Sequence, residues 1–329
     1  MNKSIPVISV VMPAYNAETY IKDAIESILV QTFCDFEFII VNDGSTDRTK
    51  EIINSFDDIR IRLIDNVQNQ GLIYSLNLGL GLALGQFILR MDADDIAVPT
   101  RLDKQLQFFT ENPDVGILGG AYKVIGGDTE VHHPKYNEEI KLKLLKNNSF
   151  SHPTIMMRTD VVRKYNLQYN KDYPSAEDYD FFVEASLKGV KMANLDDVVL
   201  NYRIHESQIS QAKADEQKET ADRIRKKYFK GIFGNVLSDS DLNRLKNYES
   251  ITSLDINDSF PILIKLFKEN KKNKFFEQKR FTSYLYGIME RNLKNTKDRI
   301  GKDVSCVFFR NMPFRFRILL LEYLVRKYI

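Results

Sequence analysis

The first 120 residues alternate between two patterns, and that alternation leaves few folds open. Four short runs, "VISVVM" (7–12), "FEFIIV" (36–41), "IRLI" (61–64) and "QFILRM" (86–91), are rich in β-branched and aromatic residues and read as strands apolar on both faces. Between them apolar residues return at helical spacing: Ile21, Ala24, Ile25 and Ile28, then Leu72, Leu76, Leu80 and Ala83, then Leu102, Leu106 and Phe109 after Pro99. Strands that need cover on both faces, separated by helices with one apolar face, predict a mostly parallel sheet sandwiched by helices. The fold class is α/β.

Beyond residue 120 the texture changes twice. "VGILGGAYKVIGG" (115–127) predicts one or two strands broken by glycines, "SHPTIMMR" (151–158) a short strand, "SAEDYDFFVEASLKG" (175–189) a helix ended by Gly189, and "VVLNYRIH" (198–205) a strand. From about 211 only helical patterns remain. The expected division is therefore 1–210, with halves 1–120 and 121–210, followed by a helical region 211–329. Charge follows the same line: 26 Lys/Arg against 15 Asp/Glu from 211 onward, leaving 21 against 30 before it. An acidic front and a basic rear imply segments with different jobs.

Cys34 and Cys306 stand far apart with no Cys-x-x-Cys or Cys/His pairing, so neither a disulfide framework nor a zinc site is expected. Two free thiols fit a reducing cytoplasm. The opening "MNKSIPVISVVMPAYN" reads as a first strand rather than a signal peptide, and no run approaches the ~18 apolar residues of a membrane span.

In open α/β sheets ligands bind beyond the carboxyl ends of the strands. The residues there are "PAYN" (13–16), "NDGSTD" (42–47), "NVQNQG" (66–71) and "DADD" (92–95). No Gly-x-Gly-x-x-Gly and no Gly-Lys-Ser/Thr loop is present, so the common phosphate cradles are missing. Asp92, Asp94 and Asp95 crowd three carboxylates into four positions, which points to a bridging divalent metal, Mg²⁺ or Mn²⁺, with places left for substrate phosphates. Asp92 and Asp94 would share one face of an extended segment. A plain helix N-cap is the alternative, and it accounts for one acid, Asp95, not three. Asp43 before Gly44 reads equally as a turn former or a nucleoside contact, and Tyr15 as a stacking platform or a core cap.

Together "VISVVMPAYNAETYIKDAIESILVQTF", "FEFIIVNDGSTD", "NQG" and "GQFILRMDADDIAVPTRLDKQ" resemble family 2 glycosyltransferases with the A-type nucleotide-diphospho-sugar fold, of the bacterial polysaccharide-assembly kind. The resemblance is dense over 7–120 and extends to about 210. It implies that Pro13, Ala14, Tyr15 and Asp43 line the base pocket, that Asp92 approaches the ribose and that Asp94 ligates a metal on the pyrophosphate. Asn16, Asn69, Gly71, Arg90, Ala93, Asp95 and Arg101 complete the expected nucleotide-sugar surface, with Arg101 either bracing the three carboxylates or meeting phosphate. Many relatives read Ala-Arg-Asn after the "NQG" glycine, where this chain has "SLN" (75–77).

The second half must supply a base that is not bound to metal. By resemblance it comes from Glu177 and Asp178, with Asp178 preferred; an acidic first turn that offsets the helix dipole is the plain alternative. His205 resembles the family's late histidine, which reaches metal or pyrophosphate. His152 is a weaker candidate for an acceptor-side or diphosphate contact, and His132 and His133 read as surface loop residues. The expected activity is metal-dependent inverting transfer of a hexose or N-acetylhexosamine from a UDP-sugar to a hydroxyl of a saccharide, lipid-pyrophosphate-linked, in O-antigen or capsule assembly. Two alternatives stay open, a sugar-nucleotide nucleotidyltransferase and a non-catalytic nucleotide-sugar-binding protein. The basic helices "KENKKNKFFEQKRF" (268–281) and "MPFRFRILLLEYLVRKYI" (312–329) mix cations with aromatic residues. They suggest peripheral attachment to the inner membrane leaflet, or a homodimer interface, and not nucleic-acid binding.

Overall fold

A computed structural model describes residues 5–205, 214–244 and 256–295. The chain divides into two compact units, Met1–Ala221 and Asp222–Ile329. The first holds strands β1 (Ile8–Ala14), β2 (Phe36–Asn42), β3 (Ile61–Asp65), β4 (Phe87–Arg90), β5 (Ile96–Ala97), β6 (Val115–Val124), β7 (Glu130–Val131), β8 (Met156–Arg158) and β9 (Lys191–Tyr202). They form one sheet in the order β3-β2-β1-β4-β8-β6-β9-β5, with β7 on β6. The helices interleaved with them are α1 (Ile21–Leu29), α2 (Thr49–Asn54), α3 (Leu72–Leu82), α4 (Arg101–Glu111), α5 (Asn137–Leu144), α6 (Thr159–Lys164) and α7 (Glu177–Leu187).

The four expected strands are β1 to β4, and β3-β2-β1-β4 is parallel throughout. The later half is mixed: β8 runs antiparallel to both β4 and β6, while β6 and β9 run parallel. Every residue of β1 is buried. Pro13 is tolerated there because the pairing with β4 ends at Val11 and Arg90, so its missing N–H removes no bond on that side. β3 departs from the expectation of two apolar faces. It is the edge strand, and Arg62 is exposed on it.

Ile21, Ala24, Ile25 and Ile28 are all buried on α1. On α3 the face against the sheet is Ser75, Leu76 and Gly79, with Leu72 and Leu80 only half-buried. The helix lies so close that a Cβ at Gly79 would stand 2.3 Å from Val11 Cγ1. The glycines of "VGILGGAYKVIGG" do not break the strand. β6 is continuous through Gly119 and Gly120, with register shifts, and a Cβ at Gly119 would stand 2.2 Å from Asn194 Oδ1.

The described part of the second unit is helical and includes α9 (Asp239–Arg244), α10 (Ile256–Asn273) and α11 (Gln278–Asn295); α8 (Ala214–Phe233) spans the division. Asn270, fully buried, ties the α10–α11 turn by donating to the Phe276 carbonyl at 3.2 Å and accepting from the Phe276 N–H at 3.0 Å. Phe276 and Phe281 stack at 4.8 Å inside this unit and are buried. The aromatic residues of "KENKKNKFFEQKRF" therefore include two that serve the core rather than a surface. Residues 312–329 lie outside the described residues. No described helix is long and apolar enough to cross a membrane.

Candidate active site

Parallel strands align their carboxyl ends, so the segments after β1, β2 and β4 meet along one rim. Asp43, just past β2, is almost fully buried. It accepts hydrogen bonds from Asn66 Nδ2 at 2.7 Å and from the backbone N–H groups of Gln70 and Gly71 at 3.0 and 2.8 Å. Its carboxylate thus ties down the segment after β3. A carboxylate offers about four acceptor sites, so one remains for a ligand donor. The turn-former and ligand-contact readings are therefore compatible. Gly44 adopts φ +67°, and a Cβ there would stand 2.4 Å from the Gln68 carbonyl carbon. Gly44→Ala combines a left-handed backbone with a backbone collision. It is expected to destabilise the first unit by about 3 kcal/mol, read as a lowered denaturation midpoint.

Pro13 and Ala14 are buried in β1, whereas Tyr15 is half-exposed at the rim. Asn16, at φ 48°, accepts from the Thr46 N–H at 2.9 Å, and its own N–H donates to Ser45 Oγ at 3.0 Å. It joins the loops after β1 and β2. Asn69 is exposed, and Gly71 caps α3 at φ 92°.

Asp92, Asp94 and Asp95 bring one ligand atom each to within 4.8 Å of one another. The cause differs from the expected i, i+2 alternation. Ala93 and Asp94 form a turn, and the turn gathers all three acids. Arg90 grips Asp92 with both nitrogens, at 2.5 and 2.7 Å. His205 Nε2 lies 2.9 Å from Asp94 Oδ2, its ring against Tyr20 at 4.9 Å. Asp95 accepts the Arg203 N–H at 2.9 Å through Oδ1, while Oδ2 is buried with no hydrogen-bond partner.

Asp95 and Arg101 are both 0% exposed. The helix-cap alternative for Asp95 is corrected, because α4 begins at Arg101 behind Thr100. Arg101 braces the turn from within, donating from Nη2 to the Arg90 carbonyl at 2.9 Å and from Nε to Gln105 at 3.1 Å.

On the other half, Glu177 and Asp178 open α7. Asp178 Oδ2 accepts from Asn148 Nδ2 at 2.7 Å, and Oδ1 accepts from the Tyr179 N–H at 2.7 Å. Asn148 Oδ1 accepts from the Phe150 N–H at 3.1 Å, which turns the amide so that its NH₂ must face Asp178. Phe150 in turn packs on Phe182 of α7 at 4.4 Å.

Residues 9–166 match the sequence model of glycosyl transferase family 2. A Haemophilus influenzae protein described as an uncharacterised glycosyltransferase is 39% identical over 238 residues, 67% of this chain and 72% of its own. The chain is a family 2 glycosyltransferase. An Escherichia coli protein, UDP-Glc:alpha-D-GlcNAc-diphosphoundecaprenol beta-1,3-glucosyltransferase WfgD, is 28% identical over 216 residues, 64% of this chain and 83% of its own. Among solved structures, Staphylococcus aureus TarS 1–349 in complex with UDP-GlcNAc superposes with a TM-score of 0.59 at 20% identity, over 97% of this chain and 88% of that one. At that identity the likeness is one of fold.

In this glycosyltransferase the charges around the rim are strongly perturbed. Burial, helped by the charges of Asp92 and Asp94, pushes the Asp95 carboxyl up to about 8. Burial pulls Arg101 down to about 9. Glu177 is pushed up to about 7 by burial and then by the charge of Asp178, while burial raises Asp178 against its hydrogen bonds. The Arg90 charge opposes both shifts, so one buried guanidinium serves Asp92 and the acids of α7 together.

The hard-oxygen donor set of the three aspartates, with an orphaned oxygen on Asp95, fits a divalent cation. Sequence reasoning missed three members of the site. Arg203 donates to the Asp94 carbonyl at 2.9 Å and covers Tyr20 at 4.6 Å; its place two residues before His205 in "YRIH" was the available signal. Tyr169 places its hydroxyl 2.8 Å from His152 Nε2. His152 is buried and pushed well below the usual histidine range by that burial, so it is neutral. Nothing in the sequence marked Tyr169 or Asn148.

Proposed function

We propose that this transferase moves a hexose or N-acetylhexosamine from a UDP-sugar to a hydroxyl of a saccharide acceptor, with inversion at the anomeric carbon. The observation that carries the reading is the cluster of Asp92, Asp94 and Asp95 with His205 on Asp94, at the carboxyl end of the parallel strands. Mn²⁺ or Mg²⁺ would be held by Asp94 and His205, and when bound it supplies positive charge against the diphosphate. Asp43 and Tyr15 face the nucleoside, and Asp92, fixed by Arg90, faces the ribose. Asp178 takes the acceptor hydroxyl proton as that oxygen bonds to the anomeric carbon from the side opposite UDP. The anomeric C–O bond to the β-phosphate breaks, and UDP departs with the bonding pair. One displacement yields a β-linked product from an α-linked donor.

A lipid-diphosphate-linked saccharide at the inner membrane surface is the acceptor this reading favours, supported by the acceptor in the name of the 28%-identical Escherichia coli relative. The test is a panel of UDP-sugars with Mn²⁺ or Mg²⁺, followed by slow donor hydrolysis, which needs no acceptor. Cation-dependent hydrolysis of one UDP-sugar is the expected result. Binding of UDP without hydrolysis or transfer from any donor would instead favour a nucleotide-sugar-binding protein.

A further inference from the structure

One cluster on the second half has no part in the chemistry above. His133, between β7 and α5, places Nδ1 3.1 Å from Lys143 Nζ, in the last turn of α5, and Nε2 2.7 Å from Ser151 Oγ. The expectation of a surface histidine holds for His132 and fails for His133. His132 is exposed and 3.3 Å from Glu130, whereas His133 is half-buried, and burial pushes it down to about 4. Its ring is therefore neutral at ordinary pH.

The hydrogen positions follow from donor chemistry. A lysine ammonium has donors only, so Nδ1 accepts and the ring proton sits on Nε2. Nε2 then donates to Ser151 Oγ, and the Ser151 hydroxyl proton is directed away from the ring. Among the described residues no hydrogen bond uses that proton, and no carboxylate pairs with Lys143. Lys143 is itself half-buried, with the charge of Lys146 nearby. The result is a one-way chain of donors, Lys143 to His133 to Ser151, with an uncompensated cation at one end and an unused O–H at the other.

The chain of donors is fixed in place. Asn194 of β9, 0% exposed, donates from Nδ2 to the Pro134 carbonyl at 2.8 Å and the Ser149 carbonyl at 3.2 Å, and its N–H donates to the Lys135 carbonyl at 3.1 Å. One buried amide thus pins the His133 loop and the Ser151 segment together. That segment also carries Asn148, on the Asp178 carboxylate, and His152.

We propose that Lys143, His133 and Ser151 form a binding site for an anionic oxygen of the acceptor, a phosphate or a carboxylate, which the neutral histidine relays into a charge-assisted hydrogen bond. The assignment of that anion to the acceptor rests on the transfer reading above, with Asp178 on the acceptor side.

The test is calorimetric titration of the full chain, saturated with UDP and Mn²⁺, with N-acetylglucosamine 1-phosphate, glucuronic acid and N-acetylglucosamine. An anionic sugar is expected to bind at least about tenfold more tightly than the neutral one. The phosphate and carboxylate arms identify which anion is meant. Lys143→Gln and Ser151→Ala should each bring the ratio to within about twofold, while Lys141→Gln, whose amine is already on Glu138, should keep it. Ser151→Ala removes a single hydroxyl and keeps the test open if the lysine variant does not fold. Equal binding of charged and neutral sugars, or a ratio that survives both variants, overturns the proposal. Absent UDP binding would count against the donor reading alone, and the same ratio is then read without UDP.

Discussion

Asp94→Ala is expected to lower donor hydrolysis and transfer by about 10³-fold or more, and to erase the stabilisation expected from Mn²⁺ on the proposed metal reading. Asp94 is half-buried in the turn that gathers the three acids, and His205 stands 2.9 Å from it. Asp92 is gripped by Arg90 and Asp95 is buried against Arg203, so Asp94 is the acid least committed to protein cations. A ligand that binds only the folded chain stabilises it by about 2.7 kcal/mol at a hundredfold excess over Kd. Thermal denaturation with and without Mn²⁺ reads this independently of turnover. A variant that keeps both activity and the Mn²⁺ shift would remove Asp94 from the metal site.

The second large effect concerns the proposed base. Asp178→Asn is expected to cut kcat by about 10²- to 10⁴-fold while UDP affinity holds. Burial raises both Glu177 and Asp178, and the reactive form is the deprotonated one. Rate should therefore be lost at a higher pH than for an exposed carboxylate, because burial holds the Asp178 carboxyl above its usual range. Glu177→Gln removes a negative charge beside Asp178, lowers its pKa and moves the acid limb to lower pH with activity retained. Asn148→Ala does the opposite, because the amide bond at 2.7 Å favours the charged form. Its limb should move to higher pH, and kcat should fall about tenfold. If Glu177→Gln is the dead variant and Asp178→Asn stays active, the base is Glu177.

The division between what was legible and what was not follows the range of the interactions. Apolar strands separated by amphipathic helices foretold β1 to β4 and the parallel half of the sheet, because burial on both faces is written into the runs of β1, β2 and β4. The mixed half was not legible. The pairing of β8 with β4 joins residues about seventy positions apart, and nothing local in "SHPTIMMR" fixes its direction. Period alone also misjudged α3, whose sheet-facing side is chosen by the closeness that Gly79 permits.

The site divides in the same way. The sequence by itself determined the family, the parallel half of the sheet, and that three aspartates follow a strand, since a motif is a local order of residue types. Only the tertiary structure decided their separate environments. Asp92 is tied to Arg90, Asp94 meets His205 from 111 positions away, and Asp95 is buried against Arg203. Carboxylates of the same chemistry acquire different charges and exposures because burial and neighbouring cations set them, and those come from distant parts of the chain.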